Sequence, residues 1–343
     1  METKKIKVLV VDDSLVFREV ISRGISSNPN IEVVGKAKDP LEAIDMVLQY
    51  RPDVMTCDIE MPKMNGIEFI KRLLPQYPIP VIIVSSISDA VFEAVNAGAV
   101  EFVSKPDVTS PKHVEKFLYE LISKLKIASQ AKIISARRNY LQENTNDSIK
   151  VNNERIIAIG ASTGGTEALY SVLKNLPPTV PGIVVVQHIP PTFSKMFAER
   201  LNTQTSLVVK EAETGDIVEQ GKVFIAPGDQ HMSVKRMGNL MKIECFPGEK
   251  VNGHCPSVDV LFESVAKAMG NKAIGVILTG MGYDGAKGLL ALRRSGARTF
   301  GQDESSSVVY GMPKVAYNIG AVEKQASIEK IPGLILQSLS GSR

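Results

Sequence analysis

Apolar positions along the first third of the chain fall into two alternating rhythms. Short, nearly continuous apolar runs occur at Ile6–Val11, Ile31–Ala37, Val54–Cys57, Val81–Val84 and Glu101–Val103. Between them, apolar residues return every three or four positions, at Ser14–Ser27, Leu41–Tyr50, Gly66–Leu74 and Asp89–Ala97, with a last such pattern from about Pro111. The first rhythm predicts strands and the second predicts amphipathic helices. Their strict alternation predicts an α/β unit, a doubly wound parallel sheet with helices on both faces.

The rhythm then stops. From Lys124 to Arg138 there are five basic residues and no acid, and the following NYLQENTNDS is polar without periodicity. A solvated helix end running into a linker is predicted over residues 124–152, between a domain at 1–123 and a second at 153–343. Alternation resumes there. Strands are predicted at Ile156–Gly160, Ile183–Gln187, Val223–Ala226, Leu240–Glu244, Ile274–Thr279 and Arg298–Gly301. Helices are predicted at Thr166–Leu176, Thr192–Asn202, Val258–Met269 and Tyr283–Ser295, a second doubly wound α/β layer structure.

Composition narrows the classes. A length of 343 residues suits two cores better than one. A net charge of +3 lacks the basic field of a nucleic-acid protein, and no helix-turn-helix pair is visible. Three cysteines, Cys57, Cys245 and Cys255, are an odd number without paired spacing, which points to a reducing compartment. No run approaches the roughly 18 apolar residues of a membrane span, and the opening METKKIKVLVVDDS is too short and too acidic for a signal peptide. A cytoplasmic protein, not inserted in a membrane, is expected.

In the first unit, Asp12 and Asp13 close the first predicted strand and Asp58 closes the third. Strand ends of a doubly wound sheet meet at one rim, where ligands bind. Three converging carboxylates are tolerable around a hard divalent cation such as Mg²⁺. Ser85 follows the fourth strand and Lys105-Pro106 the fifth. A metal, an ammonium and a hydroxyl there suit a phosphoryl group, with one carboxylate as nucleophile. The pieces VDDS, DIEMPKMNG, VSS and KP, in this order and spacing, resemble the response-regulator receiver family over about residues 5–122. That resemblance implies a flavodoxin-like sheet with Asp58 as phospho-acceptor. It implies Asp12, Asp13, Asp58 and the Glu60 carbonyl as Mg²⁺ ligands. Ser85 and Lys105 take the signalling roles, and Phe102 stands at the aromatic switch position.

In the second unit, IIAIGASTGGTEALYSVL reads as strand, glycine-rich turn and helix. Gly160-Ala161-Ser162-Thr163-Gly164 fits the G-x-S-x-G pattern, which sets a serine on a sharp strand-to-helix turn near helix N–H groups. The same glycines would also suit a phosphate-binding loop or a plain turn, but the P-loop lysine and the dinucleotide spacing are missing. A nucleophilic serine needs a base, and the base an orienting acid. Of four histidines, His113 lies outside this unit; His188 ends a predicted strand; His231 and His254 fall in predicted loops. Asp284, in TGMGYDG, follows another strand, so Ser162, His188 and Asp284 can converge at one rim. Zinc held by the loop histidines with Asp216 or Asp259 is the rival, without the close ligand spacing zinc sites show. The order serine, histidine, acid also departs from the serine, acid, histidine order of α/β-hydrolases.

The segments GASTGG, QHIP, APGDQHM, CPSVDVLF, LTGMGYDGAKGL and GQDESSSVVYGMP resemble the protein-glutamate methylesterase catalytic domain of bacterial chemotaxis, over about 153–340. The resemblance implies Ser162 as nucleophile, His188 as base, Asp284 as orienting acid and the Met281 N–H as oxyanion donor, with Thr163 beside the nucleophile. It implies no cofactor in the esterase site. The implied substrates are methyl-accepting chemotaxis receptors, with glutamine deamidation as a second activity, and the implied phosphodonor is a chemotaxis histidine kinase. A response regulator with a binding-only output domain is the alternative.

Overall fold

The computed structural model describes residues 4–86, 89–131 and 155–340. Contacts divide the chain into two compact units, Met1–Arg138 and Asn139–Arg343. Most of the predicted linker, from 132 onward, lies outside the described residues; its first residues are the end of a helix.

The first unit runs β1 (Ile6–Val11), α1 (Leu15–Ser26), β2 (Ile31–Ala37), α2 (Pro40–Tyr50), β3 (Val54–Cys57), α3 (Gly66–Leu73), β4 (Val81–Ser85), α4 (Asp89–Asn96), β5 (Glu101–Ser104) and α5 (Pro111–Ala128). Its five strands form one sheet in the order β2-β1-β3-β4-β5, every neighbouring pair parallel. Val54–Cys57 and Val81–Ser85 are buried along their whole length, because helices cover both faces of a parallel sheet. Caps set the helix starts. Asp39 accepts from the Leu41 and Glu42 N–H groups ahead of Pro40, and Asn65 accepts from the Glu68 N–H.

The second unit continues with β6 (Ile156–Ala161), α6 (Gly165–Leu173), β7 (Ile183–Gln187), α7 (Pro191–Gln204), β8 (Val208–Glu211), β9 (Lys222–Ile225), β10 (His231–Met237) and β11 (Leu240–Phe246). It ends with α8 (Val258–Met269), β12 (Ala273–Ile277), α9 (Ala286–Arg294), β13 (Arg298–Gln302), α10 (Met312–Asn318), β14 (Lys324–Ala326) and α11 (Ile331–Leu339). Seven strands make a parallel sheet in the order β14-β13-β12-β6-β7-β9-β8. Its centre is wholly apolar: Ile156, Ile157, Ala158, Val184, Val185, Ile274 and Val276 are fully buried.

The Leu240–Glu244 strand does not join that sheet as the open layer pattern implied. It pairs antiparallel with β10 in a separate hairpin. Met232, Val234 and Ile243 of this hairpin enter the same core as Val258, Leu261 and Phe262 of α8. His231, expected in a loop, is the first residue of β10 and is buried. The helix expected from Tyr283 starts at Ala286, because Gly285 stands in the left-handed region ahead of it.

Both sheets have a point where the strand order reverses. In the first it lies between β1 and β3, and in the second between β12 and β6. Such points open a crevice at the carboxyl ends of the strands. Asp12 and Asp58 stand at the first crevice; Ser162 and the loop after β12 stand at the second. Among the described residues, no helix is long and apolar enough to cross a membrane.

Candidate active site and phospho-acceptor site

At the rim of the larger sheet, the backbone ladder runs one residue beyond the strands. The Ser162 N–H donates to the Thr279 carbonyl at 3.0 Å, and the His188 N–H donates to the Ala161 carbonyl at 3.2 Å. Three neighbouring strand ends are thereby tied together at the level of Ser162. The serine sits on a tight turn closed by the Gly165 N–H donating to its carbonyl at 2.7 Å. Gln187 supports the same turn from below, its amide donating to the Ser162 carbonyl at 2.9 Å and the His188 carbonyl at 3.2 Å.

The His188 Nε2 lies 2.9 Å from the Asp284 Oδ2. A carboxylate only accepts, so this contact puts the imidazole proton on Nε2 and leaves a lone pair on Nδ1. Nδ1 is buried and has no protein partner among the described residues. It is therefore the nitrogen available to take a proton.

Asp284 is held from all sides. Its Oδ1 accepts from the Ser257 hydroxyl at 2.7 Å, the Asn252 amide at 2.8 Å and the Asp259 N–H at 3.2 Å. Its Oδ2 accepts from the Val258 N–H at 2.7 Å. Asp284 thus caps the N-terminus of α8, where partial positive charge favours a carboxylate. Burial alone would raise its pKa, but the bonds from His188, Asn252 and Ser257 outweigh burial and hold it below the ordinary value of 3.8. Asp259, in the first turn of α8, answers by accepting from the Gly288 N–H of α9 at 2.6 Å, and shares the Asn252 amide at 2.7 Å. Burial pushes the Asp259 carboxyl up, and the Asp284 charge adds to this.

The loop after β12 passes close to the nucleophile. A Cβ on Gly280 would stand 2.6 Å from the Ser162 Cβ, so only glycine fits there. The loop is pinned by the later GQDESSSVVYGMP segment. Gln302 Oε1 accepts from the Thr279 N–H at 2.8 Å, and the Gly280 carbonyl accepts from the Met312 N–H at 2.7 Å. The Thr279 hydroxyl donates to the Thr163 carbonyl at 3.0 Å, joining the two loops. Among the described residues, the N–H groups of Thr163 and Met281 find no protein acceptor. One of these donors follows the serine directly and the other follows Gly280, which packs against the serine; unpaired N–H groups of this kind can stabilise a developing oxyanion.

The other histidines do different work. His231 accepts the Ser257 N–H on Nδ1 at 3.2 Å and donates from Nε2 to the Glu249 carbonyl at 2.9 Å. Both its nitrogens are used, so it is a buried strut rather than a base. His254 stacks on His188. Among the described residues, neither histidine belongs to a cluster placed to hold a metal ion, and the zinc alternative finds no ligand set.

At the rim of the smaller sheet, Asp12, Asp13 and Asp58 each bring a carboxylate oxygen within 4.8 Å of the others. Asp12 and Asp58 are buried and Asp13 is exposed. Lys105 Nζ lies 2.6 Å from the Asp58 Oδ2 and 2.8 Å from the Asp12 Oδ2. Burial alone would lower the Lys105 pKa, but these two carboxylates outweigh it and raise it. Asp12 is pushed up by burial against the pull of Lys105. Asp58 Oδ1 accepts from the Ile59 N–H at 2.7 Å, and among the described residues its other oxygen is engaged by the lysine alone. Hard carboxylate oxygens at this spacing fit a small divalent cation. Ser85 is buried beside the site, its carbonyl accepting the Lys105 N–H at 3.0 Å. Glu60 is exposed after β3. Phe102 is buried edge-on against Phe92, ring centroids 5.9 Å apart, with Lys124 Nζ 5.2 Å from its ring.

Gln187, Asn252, Ser257, Thr279 and Gln302 all support the serine site and were not singled out by sequence. Gln187 and Gln302 lie inside motifs already noted, QHIP and GQDE. The Asn252-Gly253 pair is a strong turn signal that could have drawn attention to its loop.

Two family models match the chain: CheB methylesterase over residues 157–335, and response regulator receiver domain over residues 8–113. A protein from Syntrophomonas wolfei named protein-glutamate methylesterase/protein-glutamine glutaminase 2 is 54% identical over 96% of this chain and 97% of its own length. A Salmonella typhi protein named protein-glutamate methylesterase/protein-glutamine glutaminase is 42% identical over 99% of this chain and 98% of its own length. The crystal structure of the Thermotoga maritima CheB methylesterase catalytic domain matches at a TM-score of 0.53 and 39% identity. That match covers 54% of this chain and 98% of that one.

Proposed function

The chain belongs to the CheB methylesterase family, and from that premise we propose that Ser162, His188 and Asp284 hydrolyse γ-glutamyl methyl esters of methyl-accepting chemotaxis receptors. The supporting observation is the His188 Nε2 contact with Asp284 at 2.9 Å, on the rim where the sharp turn after β6 carries Ser162. His188 Nδ1 takes the Ser162 hydroxyl proton as the oxygen attacks the ester carbonyl. The Met281 N–H, with that of Thr163, receives the negative charge on the carbonyl oxygen. The tetrahedral intermediate collapses, the C–O bond to methoxide breaks, and the proton on Nδ1 leaves with methanol. Water then attacks the acyl-enzyme with Nδ1 again as base, and glutamate is released. Glutamine follows the same course, with ammonia as the leaving group. Asp284 keeps the proton on Nε2 throughout and stabilises the imidazolium.

The receiver unit controls this activity. Asp58 is the phospho-acceptor, and a chemotaxis histidine kinase is the donor. Asp12, Asp13, Asp58 and the Glu60 carbonyl would hold Mg²⁺, which when bound would supply positive charge to offset that of a phosphoryl group. Lys105 is placed to move its ammonium from the Asp58 carboxylate to a phosphoryl oxygen, and Ser85 to donate a hydrogen bond to another. Phe102 and Ser85 report the change to the surface. The work is done in the cytoplasm, on the cytoplasmic parts of receptors, without nucleic acid.

The test is methanol release from methylated receptor membranes, with and without Mg²⁺ and a small acyl-phosphate donor. Ser162→Ala should lower kcat/KM by at least about 10²-fold. A smaller loss would remove Ser162 from the role of nucleophile.

A further inference from the structure

Residues 251–254 form a tight turn closed by two backbone bonds, the Val251 N–H to the His254 carbonyl and the His254 N–H to the Val251 carbonyl, each 3.0 Å. Asn252 (φ 54°) and Gly253 (φ 84°) both lie in the left-handed region, which an Asn-Gly pair tolerates well. The turn projects two side chains onto the base–acid pair. The Asn252 amide donates to Asp284 at 2.8 Å. The His254 ring lies face to face on the His188 ring, centroids 3.7 Å apart and planes 7° from parallel.

We propose that His254 is a positioning residue for ester hydrolysis: its ring fixes the plane of His188 and offers an uncharged aromatic face to the imidazolium formed during proton transfer. The proposal presupposes His188 as the base. Ring N–H bonds lie in the ring plane, so two stacked imidazoles cannot exchange a proton directly. His254 therefore acts through the face of His188 and not as a relay. Near-sandwich stacking of two neutral rings is not the preferred aromatic arrangement, whereas a cation over a π face is attractive. The stack thus favours the state in which His188 is charged, provided that His254 is not.

The titratable groups acting on His254 are His188, Asp284 and Lys250, and Asp259 lies behind them on the Asn252 amide. Burial pushes His254 down to about 4; His188 and Lys250 push it the same way, and Asp284 opposes them. His254 is neutral at neutral pH, so the charge formed during proton transfer rests on the His188 ring alone.

The test compares His254→Leu, which fills space without a π face, with His254→Phe, which keeps one, in the full chain. Methanol release from methylated receptor membranes is followed against pH, beside unmodified protein and His188→Gln. For His254→Leu, kcat should fall about tenfold with KM little changed. The base-controlled limb of kcat/KM should move to lower pH, because the imidazolium has lost its support. His254→Phe should keep kcat within about threefold of the unmodified protein and restore the limb. Equal losses in both variants, or an unmoved limb in His254→Leu, would overturn the proposal. Full activity in His188→Gln would instead overturn the assignment of the base. Imidazole NMR of the unmodified chain guards against misfolded variants: His188 ring protons should be shifted upfield by the ring current of His254, and an unshifted signal would rule out the stack.

Discussion

Replacing Asp284 by asparagine changes one atom and reverses two hydrogen bonds. The Oδ1 of Asp284 serves Ser257, Asn252 and the Asp259 N–H, and an asparagine oxygen can take that place. The Oδ2 serves the Val258 N–H and His188 Nε2, and there the new NH₂ would face two donors. His188 relieves the conflict by moving its proton to Nδ1, which removes the lone pair that the proposed mechanism needs to take the serine proton. Loss of the working tautomer should lower kcat by about 10⁴-fold. The Val258 N–H has no such escape, and losing one charge-assisted bond at a helix N-terminus should cost about 2–3 kcal/mol of stability. The pH dependence carries a sign. Asp284 is held below its ordinary value of 3.8, so its contribution is present above that pH and is lost as pH falls through the lowered value. The stability gap between parent and variant should therefore be full near neutrality and narrow in acid. Methanol release gives the first number, and urea unfolding at several pH values gives the other two. Activity within tenfold of the parent would refute the tautomer reasoning. A stability gap that widens in acid would refute the account of the carboxylate.

Gly280→Ala would drive a methyl group to 2.6 Å from the Ser162 Cβ, so methanol release should fall by about 10²-fold while circular dichroism stays native. His231→Leu would leave the Ser257 N–H and the Glu249 carbonyl without their buried partner, and denaturant unfolding should show a loss of about 2–4 kcal/mol. Asp58→Ala should abolish labelling by a small acyl-phosphate donor and the rise in methanol release that accompanies it, while leaving basal release intact. Basal release lost with it would mean that Asp58 supports more than phosphorylation.

Much of the fold was legible because local rules and tertiary demand agree. Val54–Cys57 and Ile183–Gln187 are short β-branched runs buried on both faces, and the helices expected from Leu41, Gly66, Pro111 and Thr192 begin within one residue of those positions. The elements missed were β8, β10, β14, α10 and α11, and the strands among them are those whose burial depends on distant partners. β8 is a short edge strand that shows one buried side chain, and β14 has only three residues at the opposite edge. β10 begins at His231 and carries Lys235 and Arg236, so its inward face is legible only once α8 packs beside it.

The functional site divides the same way. Ser162, His188, Asp284, Asp12 and Asp58 could be placed from sequence because each follows a predictable strand, and parallel strands bring their carboxyl ends to a common rim. Which imidazole nitrogen faces the acid was decided only by the crossing of the α8 N-terminus with the loop after β12. So were the bonds that keep Asp284 charged and the turn that sets Asn252 and His254 upon the pair. Chain periodicity encodes which face of an element is buried, and so it determined the two α/β units and the rim residues. It carries no information on the angle at which a loop returns to that rim. Hydrogen-bond direction and ring stacking depend on that angle to within a few tenths of an ångström, and only the packed core set it.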